Sequence, residues 1–581
     1  MVYNPENPMV VQSDRSVFLE TDRSNYEAAR DALAQFAELI KSPEHIHTYR
    51  ITPLSLWNAA SAGLTAADIL RSLETYTKYD IPQNITQDVQ SYVARYGQLR
   101  LVQEGNELHL VAKDAMLIKE LLANRALDRF FDHPIDKQRI AVKPNMRGRV
   151  KQALIKIGWP VEDLAGYVEG EPVEIVLRDP TLSGREFRLR PYQKDAADIF
   201  WAGGSARGGS GVLVLPCGAG KTIIGIAVMS RISQHTLVLS TNITALRQWR
   251  DELLDKTALT VAEIGEYSGE IKERDRPIVL TTYQILTYRK SRHDDFEHLE
   301  LFNHGRWGLI IYDEVHLLPA PVFRAVAEIQ GKRRLGLTAT LVREDGKEDD
   351  VFSLIGPKKF DVPWKVLEKQ GWIAKAECVE VRIPLPEQTR LDYAVADTKA
   401  KFRIASENPL KIAVCQELIE RHRDDNILII GQYLEQLHLL AEILQRHGQS
   451  DIPIITGKTP SRERERLYSD FKDGVLQCLI VSKVANFAID LPDANVAIQV
   501  SGTFGSRQEE AQRLGRILRP KSEGKMAHFY SLVTRDTKDQ EFAANRQLFL
   551  TEQGYRYVID VRDEGLRSSL APLQLEIVNR P

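Results

Sequence analysis

The run Leu215-Pro216-Cys217-Gly218-Ala219-Gly220-Lys221-Thr222 follows apolar Val212-Leu213-Val214 and precedes Ile223-Ile224-Gly225-Ile226-Ala227. A glycine-rich loop therefore joins a buried strand to a helix. Gly218 and Gly220 let the backbone curl so that its N–H groups point at phosphate oxygens, and the helix N-terminus adds the positive end of its dipole. Lys221 is placed to reach the β and γ phosphates, and the Thr222 hydroxyl to ligate magnesium. The loop departs from the full phosphate-binding pattern at its first position, where Leu215 stands in place of glycine. That change suits helicase-type loops better than small GTPases. An acidic partner follows at the end of Trp307-Gly308-Leu309-Ile310-Ile311-Tyr312-Asp313-Glu314-Val315-His316. Its carboxylates emerge at the C-terminal end of an apolar strand, where doubly wound sheets place their ligands. Asp313 is the candidate magnesium ligand, and Glu314 the candidate to polarise an attacking water. Nucleoside-triphosphate hydrolysis is implied.

At 581 residues the chain has room for several domains. A hydrophobic fraction of 43% and a charged fraction of 27% are those of an ordinary globular protein. No run is long and apolar enough to span a bilayer, and Met1-Val2-Tyr3-Asn4-Pro5-Glu6 has no signal-like character. A cytoplasmic protein without a membrane partner is expected. Cys217, Cys378, Cys415 and Cys478 are too scattered for a zinc knuckle or a disulfide framework. The net charge of −3 excludes a uniformly basic coat, so any surface for nucleic acid must be local.

Helical periodicity runs from Asn25 to Lys41 and again near 54–62, 65–77 and 85–96. Two alternating segments about Glu104-Gly105-Asn106-Glu107 then read as a hairpin. Helices followed by a hairpin predict a mainly helical, winged-helix-like N-terminal region, suited either to DNA or partner recognition or to packing. The cluster Arg147, Arg149 and Lys151 reads as a nucleic-acid contact or as a solvated face. Farther on, apolar runs at 236–240, 278–282, 309–312 and 334–338, and a second series at 427–431, 452–455, 478–482, 496–500 and 527–531, alternate with helical segments. The expected fold is α/β, with two tandem doubly wound parallel-sheet lobes. Only the first lobe carries a phosphate loop.

Gln512-Arg513-Leu514-Gly515-Arg516-Ile517-Leu518-Arg519-Pro520 places arginines at helical spacing. Arg516 and Arg519 share one face at i, i+3. Guanidinium groups are planar, permanently charged and bidentate, which suits a γ-phosphate, so both are candidate catalytic residues.

These residues together resemble superfamily 2 helicases and translocases, and within them the XPB family of the bacterial or archaeal type, firmly over about residues 185–550, which implies that the two lobes are RecA-like. Leu189-Arg190-Pro191-Tyr192-Gln193 is similar to the Q motif, which implies that Gln193 reads adenine and that the nucleotide is ATP with Mg2+. Ser240-Thr241-Asn242 with Gln248-Trp249, and Thr281-Thr282-Tyr283, resemble strand-contacting motifs. Thr338-Ala339-Thr340 resembles the motif that couples hydrolysis to lobe movement, and His316 completes the DEVH box. Arg343-Glu344-Asp345 matches the RED motif of the XPB branch, linked there to DNA unwinding. Asp490 falls in a stretch that resembles motif V, facing the nucleotide, and Gln512 opens motif VI.

The resemblance implies an ATP-dependent DNA helicase or duplex-DNA translocase moving 3′ to 5′ in excision repair or transcription, with DNA and a nuclease or repair/transcription protein as partners. The core motifs alone leave open an RNA helicase, or an ATP-switched DNA-binding scaffold without strand separation. The expected organisation is an N-terminal recognition region over 1–175, a first lobe over 176–365, a linker with a small thumb insertion over 366–410, a second lobe over 411–560 and a tail over 561–581.

Overall fold

A computed structural model describes residues 3–41, 45–205, 207–216, 218–288, 297–304, 306–329, 331–339, 348–446, 452–482, 494–502, 510, 513–515, 517–518 and 526–562. Unbroken apolar runs demand burial on both sheet faces, and two seven-stranded sheets whose paired strands are all parallel meet that demand. They belong to two compact units. Met1–Ile40, Glu44–Leu215 and Gly220–Val362 build the first, and Pro363–Pro581 supplies the bulk of the second.

In the first unit the sheet order is Ile264–Tyr267, Ile278–Thr282, Thr236–Ser240, Leu309–Asp313, Arg333–Thr338, Ser210–Val214 and Lys358–Asp361. Because all of these strands point the same way, their C-terminal ends lie along one edge. Val214 pairs with Thr338, Asp313 with Leu337 and Ser240 with Thr282, so the motif residues that follow these strands converge. The helices Lys221–Ile232 and Ile243–Lys256 pack on this sheet.

The N-terminal region holds the expected helices at Pro53–Ser61, Ala66–Tyr76 and Gln83–Arg95, the first two opened by reciprocal caps from Thr52 and Thr65. The hairpin is also present, Leu99–Glu104 against Glu107–Ala112. Gly105 adopts φ +61° at its tip, a conformation that favours glycine. The region is nonetheless mixed rather than mainly helical. Nine strands form a four-stranded and a five-stranded sheet, and the periodic stretch from Asn25 to Lys41 divides into a helix, Tyr26–Leu33, and a strand, Glu38–Lys41. The apolar residues of Glu38-Leu39-Ile40-Lys41 satisfy a strand as well as a helical turn, and pairing in the sheet decides.

This region is tied to the first lobe by specific contacts. Gln152 Nε2 donates to Asp350 Oδ1 at 2.7 Å, and the Lys358 amide donates to Asn58 Oδ1 at 3.0 Å. Trp57, Ile155 and Phe352 share a small core. Gly148 lies so close to Ala327 that a Cβ would come within 2.4 Å of its carbonyl oxygen. The basic cluster is consumed here. Arg147 Nη2 and Lys151 Nζ reach Asp163 at 2.8 and 2.6 Å in the interior, leaving only Arg149 of the three exposed. Burial would raise the Asp163 carboxyl, but Lys151 and Arg147 hold it well below the usual carboxylate range. Neither a nucleic-acid contact nor a solvated face describes Arg147 and Lys151.

The boundary expected at 175 falls inside a strap laid along the lobe. Val168 N donates to Gly331 O at 2.8 Å, Glu171 N to Arg306 O at 2.9 Å and Val173 N to Ser233 O at 3.1 Å. In the second unit the sheet order is Ile454–Ile455, Cys478–Ser482, Ile427–Gly431, Val496–Gln499, Ala527–Thr534, Ala376–Ile383 and Tyr557–Val561. The segment expected as a linker therefore supplies a strand with partners on both sides. The stretch expected to hold a thumb insertion contains two short helices, Glu387–Val395 and Thr398–Ser406. No helix among the described residues is long and apolar enough to cross a membrane.

Candidate active site

The phosphate loop begins where the strand Ser210–Val214 ends. Leu215 is buried and its amide donates to Thr338 O at 3.0 Å, so an apolar side chain at this position extends the core instead of opening the loop. Pro216 and Ala219 are buried too. Gly218 and Gly220 take φ +81° and +80°. A Cβ on Gly220 would meet Gln193 Nε2 at 2.6 Å, so both conformation and space require glycine. Lys221 and Thr222 then open the helix Lys221–Ile232.

Lys221 Nζ lies 3.4 Å from Glu314 Oε1. Glu314 has φ +49°, a left-handed conformation for a residue with a side chain, of the kind held at roughly 1–3 kcal/mol where function needs it. Its Oε2 is buried without a hydrogen bond, 3.5 Å from His316 Nδ1. His316 is itself buried and shares a 2.7 Å hydrogen bond with Thr338 Oγ1. A continuous path thus runs from Lys221 through Glu314 and His316 to Thr338. Burial pushes the Glu314 carboxyl up, but Lys221 and then His316 overcome it and hold the group below its ordinary value.

Asp313 is constrained from four sides. Trp249 Nε1 donates to its Oδ2 at 3.0 Å, Ser240 Oγ lies 3.5 Å from the same oxygen, and the Glu314 amide donates to Oδ1 at 3.1 Å. Tyr283 adds a 2.9 Å bond from its hydroxyl to the Asp313 carbonyl. Burial first, and Glu314 second, raise the Asp313 carboxyl, while Trp249 opposes them. Trp249 also packs on the phosphate-loop helix at Gly225, where a Cβ would come within 2.4 Å of its ring. The pairing of Trp249 with Asp313 has no local signal in the sequence, because 64 positions separate the partners.

Other expected residues take quieter positions. Gln193 is buried and its Oε1 accepts the Arg190 amide at 3.0 Å, capping its own helix. Thr282 is buried and caps the short helix Tyr283–Leu286, accepting the Ile285 amide at 3.3 Å. Thr241 Oγ1 accepts a 3.1 Å bond from Asn242, which caps the helix Ile243–Lys256. Arg513 is buried, with Nη1 donating to Gln499. Cys217, Thr340, Arg343, Glu344, Asp345, Asp490, Gln512, Arg516 and Arg519 lie outside the described residues.

An ammonium, a hydroxyl at a helix N-terminus and two half-buried carboxylates, one with a buried oxygen that receives no hydrogen bond, form a donor set that fits a magnesium nucleoside triphosphate and a water. Comparison with known proteins agrees with this chemistry. Residues 186–343 match the family of the type III restriction enzyme res subunit, and residues 367–573 the ERCC3/RAD25/XPB C-terminal helicase family. Residues 9–134, in the N-terminal region, match a helicase conserved C-terminal domain family. The DNA 3′-5′ helicase XPB of Mycobacterium tuberculosis is 54% identical over 562 residues, covering 97% of this chain and 99% of that protein. Its namesake from Kineococcus radiotolerans is 52% identical over 96% of this chain and 97% of its own length. The general transcription and DNA repair factor IIH helicase/translocase subunit XPB of Enterocytozoon bieneusi is 34% identical over 95% and 92%. Near-complete coverage at these identities, over both parallel-sheet lobes and the N-terminal region, places the chain in the XPB family of helicases.

Proposed function

We infer that the protein is an ATP-dependent DNA helicase of 3′ to 5′ polarity, acting in DNA repair or transcription. The observation that carries this reading is the buried path from Lys221 through Glu314 and His316 to Thr338, which joins the phosphate loop to the end of a neighbouring strand. Magnesium arrives with ATP as part of the substrate, where Thr222 and Asp313 would hold it. Glu314 orients the attacking water and takes up its proton, and Lys221 leaves its ion pair with Glu314 to neutralise the γ-phosphate. His316 senses that exchange through its contact with Glu314 and transmits it to Thr338. Arg516 and Arg519 would complete the charge neutralisation, Gln193 would read adenine, Gln512 would bind the nucleotide, and Asp490 would face it. Thr241, Thr282, Thr340 and Arg343-Glu344-Asp345 are assigned to DNA contact and coupling.

DNA held through its phosphates implies salt-dependent and largely sequence-independent binding. Residues 1–175 are assigned to recognition of DNA or of a partner, such as a nuclease that cuts what this chain opens, and the location to the cytoplasm. Strand displacement on forked duplexes of both polarities tests the function. ATP-dependent displacement with 3′ to 5′ polarity is expected; ATPase activity stimulated by RNA and not by DNA would make it an RNA helicase, and DNA binding without turnover a scaffold.

Trp249 is the positioning residue for Asp313. Trp249→Phe preserves most of the packing on Gly225 and removes the donated N–H. Outer-shell partners of metal ligands are worth roughly 10–100-fold in metal affinity or activity. A loss of that size is expected in ATPase rate at low Mg2+, largely recovered at high Mg2+. A magnesium titration of phosphate release checks it, and a loss independent of magnesium would mean that the indole serves packing alone.

A further inference from the structure

A cavity of about 370 Å³ lies between the N-terminal region and the first lobe, lined by residues of Leu99–Glu104, Val161–Asp163 and the edge strand Lys358–Asp361. Its wall carries Arg100, Lys113, Lys151, Arg207 and Lys359 against two carboxylates, Glu162 and Asp163. Both carboxylates are already engaged. Glu162 Oε2 accepts Arg100 Nε at 3.0 Å, and Asp163 is shared by Lys151 and Arg147. Among the described residues, Lys113, Arg207 and Lys359 have no carboxylate within ion-pair distance.

Lys359 is the most informative of the three. It is half-buried, and its ammonium donates to the Arg207 carbonyl at 3.1 Å. Burial lowers its pKa; Glu162 opposes the shift and the nearby Arg207 guanidinium adds to it. A half-buried cation beside a second cation gains from an anion that joins them. Guanidinium and ammonium groups together match a phosphate, the first by its planar fork and the second as a point charge. The volume falls at the small end of the roughly 300–1,000 Å³ typical of ligand pockets, which suits a small molecule and not a duplex.

We propose that this cavity binds a small, multiply charged phosphate compound, of the size of pyrophosphate or a nucleoside diphosphate. Arg100 and Lys113 reach it from the N-terminal region, whereas Lys359 and Ser210 belong to neighbouring strands of the first parallel sheet, the latter opening the phosphate-loop strand. A bound anion would clamp the two together.

The test is isothermal titration calorimetry of the full chain with pyrophosphate, the phosphate loop being filled beforehand by a non-hydrolysable ATP analogue. Wild type, Lys359→Met and Lys113→Gln are compared, with thermal unfolding as the check on folding; Lys113 is exposed and leaves packing untouched. One binding event is expected in wild type, weakened about tenfold or more in both variants, since each loses a charge-assisted bond. Absence of binding to wild type, or unchanged affinity in either folded variant, overturns the proposal. It also falls if duplex DNA abolishes the heat and Lys359→Met lowers DNA affinity by the same factor, because the cavity is then a DNA contact.

Discussion

Replacing Glu314 by Gln is expected to lower DNA-stimulated ATP hydrolysis by roughly 10²–10⁴-fold, the range for loss of a positioned general base, while ATP binding survives. The geometry separates the two effects. The phosphate grip comes from the turns at Gly218 and Gly220 and from Lys221 and Thr222, none of which the substitution removes. Glutamine keeps the shape of the side chain and its contact with His316, and loses only the charge that pairs with Lys221 at 3.4 Å. Freed from that pair, Lys221 is available to phosphate without first breaking an internal contact, so nucleotide affinity should hold or rise. Lys221→Ala should behave differently, losing turnover and affinity together. Steady-state phosphate release and titration with a fluorescent ATP analogue distinguish the two variants. Wild-type turnover in Glu314→Gln would remove Glu314 from the chemistry.

Lys411→Met is expected to destabilise the second unit by about 3–5 kcal/mol, the cost of stranding one partner of a buried ion pair. Lys411 Nζ sits 2.7 Å from Asp539 Oδ2, and both side chains are fully buried. Asp539 also accepts the Thr534 amide at 3.1 Å and lies 3.8 Å from Arg546, whose Nε is in turn 3.5 Å from Glu510. Burial pushes Lys411 down and Asp539 pulls it back, so the charge on Lys411 depends on its partner. Arg546 alone is too distant from Asp539 to replace the short bond. Urea unfolding followed by a probe in the second unit should show the loss. The double variant Lys411→Met with Asp539→Leu should recover most of it, because removing both charges removes the desolvation cost as well. If the double variant is no more stable than the single one, the network is held by shape and not by charge.

Which parts of this architecture are readable in the chain depends on where each residue's partner sits. Strands such as Thr236–Ser240 and Ile427–Gly431 have unbroken apolar centres because both faces are buried, and they announce themselves. Ala376–Ile383 does not, since Glu377, Glu380 and Arg382 interrupt it. Glu380 is nevertheless buried, its charge answered by Gln547 at 2.5 Å and Arg382 at 2.6 Å, and the first of those partners is 167 positions away. The edge strand Lys358–Asp361 begins with two lysines because it lies at the sheet margin: Lys358 pairs with Asp361 of the same strand, and Lys359 donates to the Arg207 carbonyl. Arg147 and Lys151 look like a surface cluster until Asp163 folds beneath them. In the site, Lys221, Asp313 and Glu314 are legible because strand, loop and helix fix them locally. The seating of Asp313 by Trp249 is not, because it exists only once the sheet has assembled.

The strap over 168–173 bears on how this chain can be cut. Glu169 pairs with Arg333 at 2.9 Å, and the main-chain bonds from Val168, Glu171 and Val173 use carbonyls that the first lobe presents along its margin. A fragment beginning at 176 would lose all of these at once, together with Asp163, whose charge faces Arg334, fully buried at the start of the strand that ends in Thr338. The ATP-binding half is therefore completed by the segment before it, and a dissection of the chain that keeps these contacts must leave the two on one polypeptide.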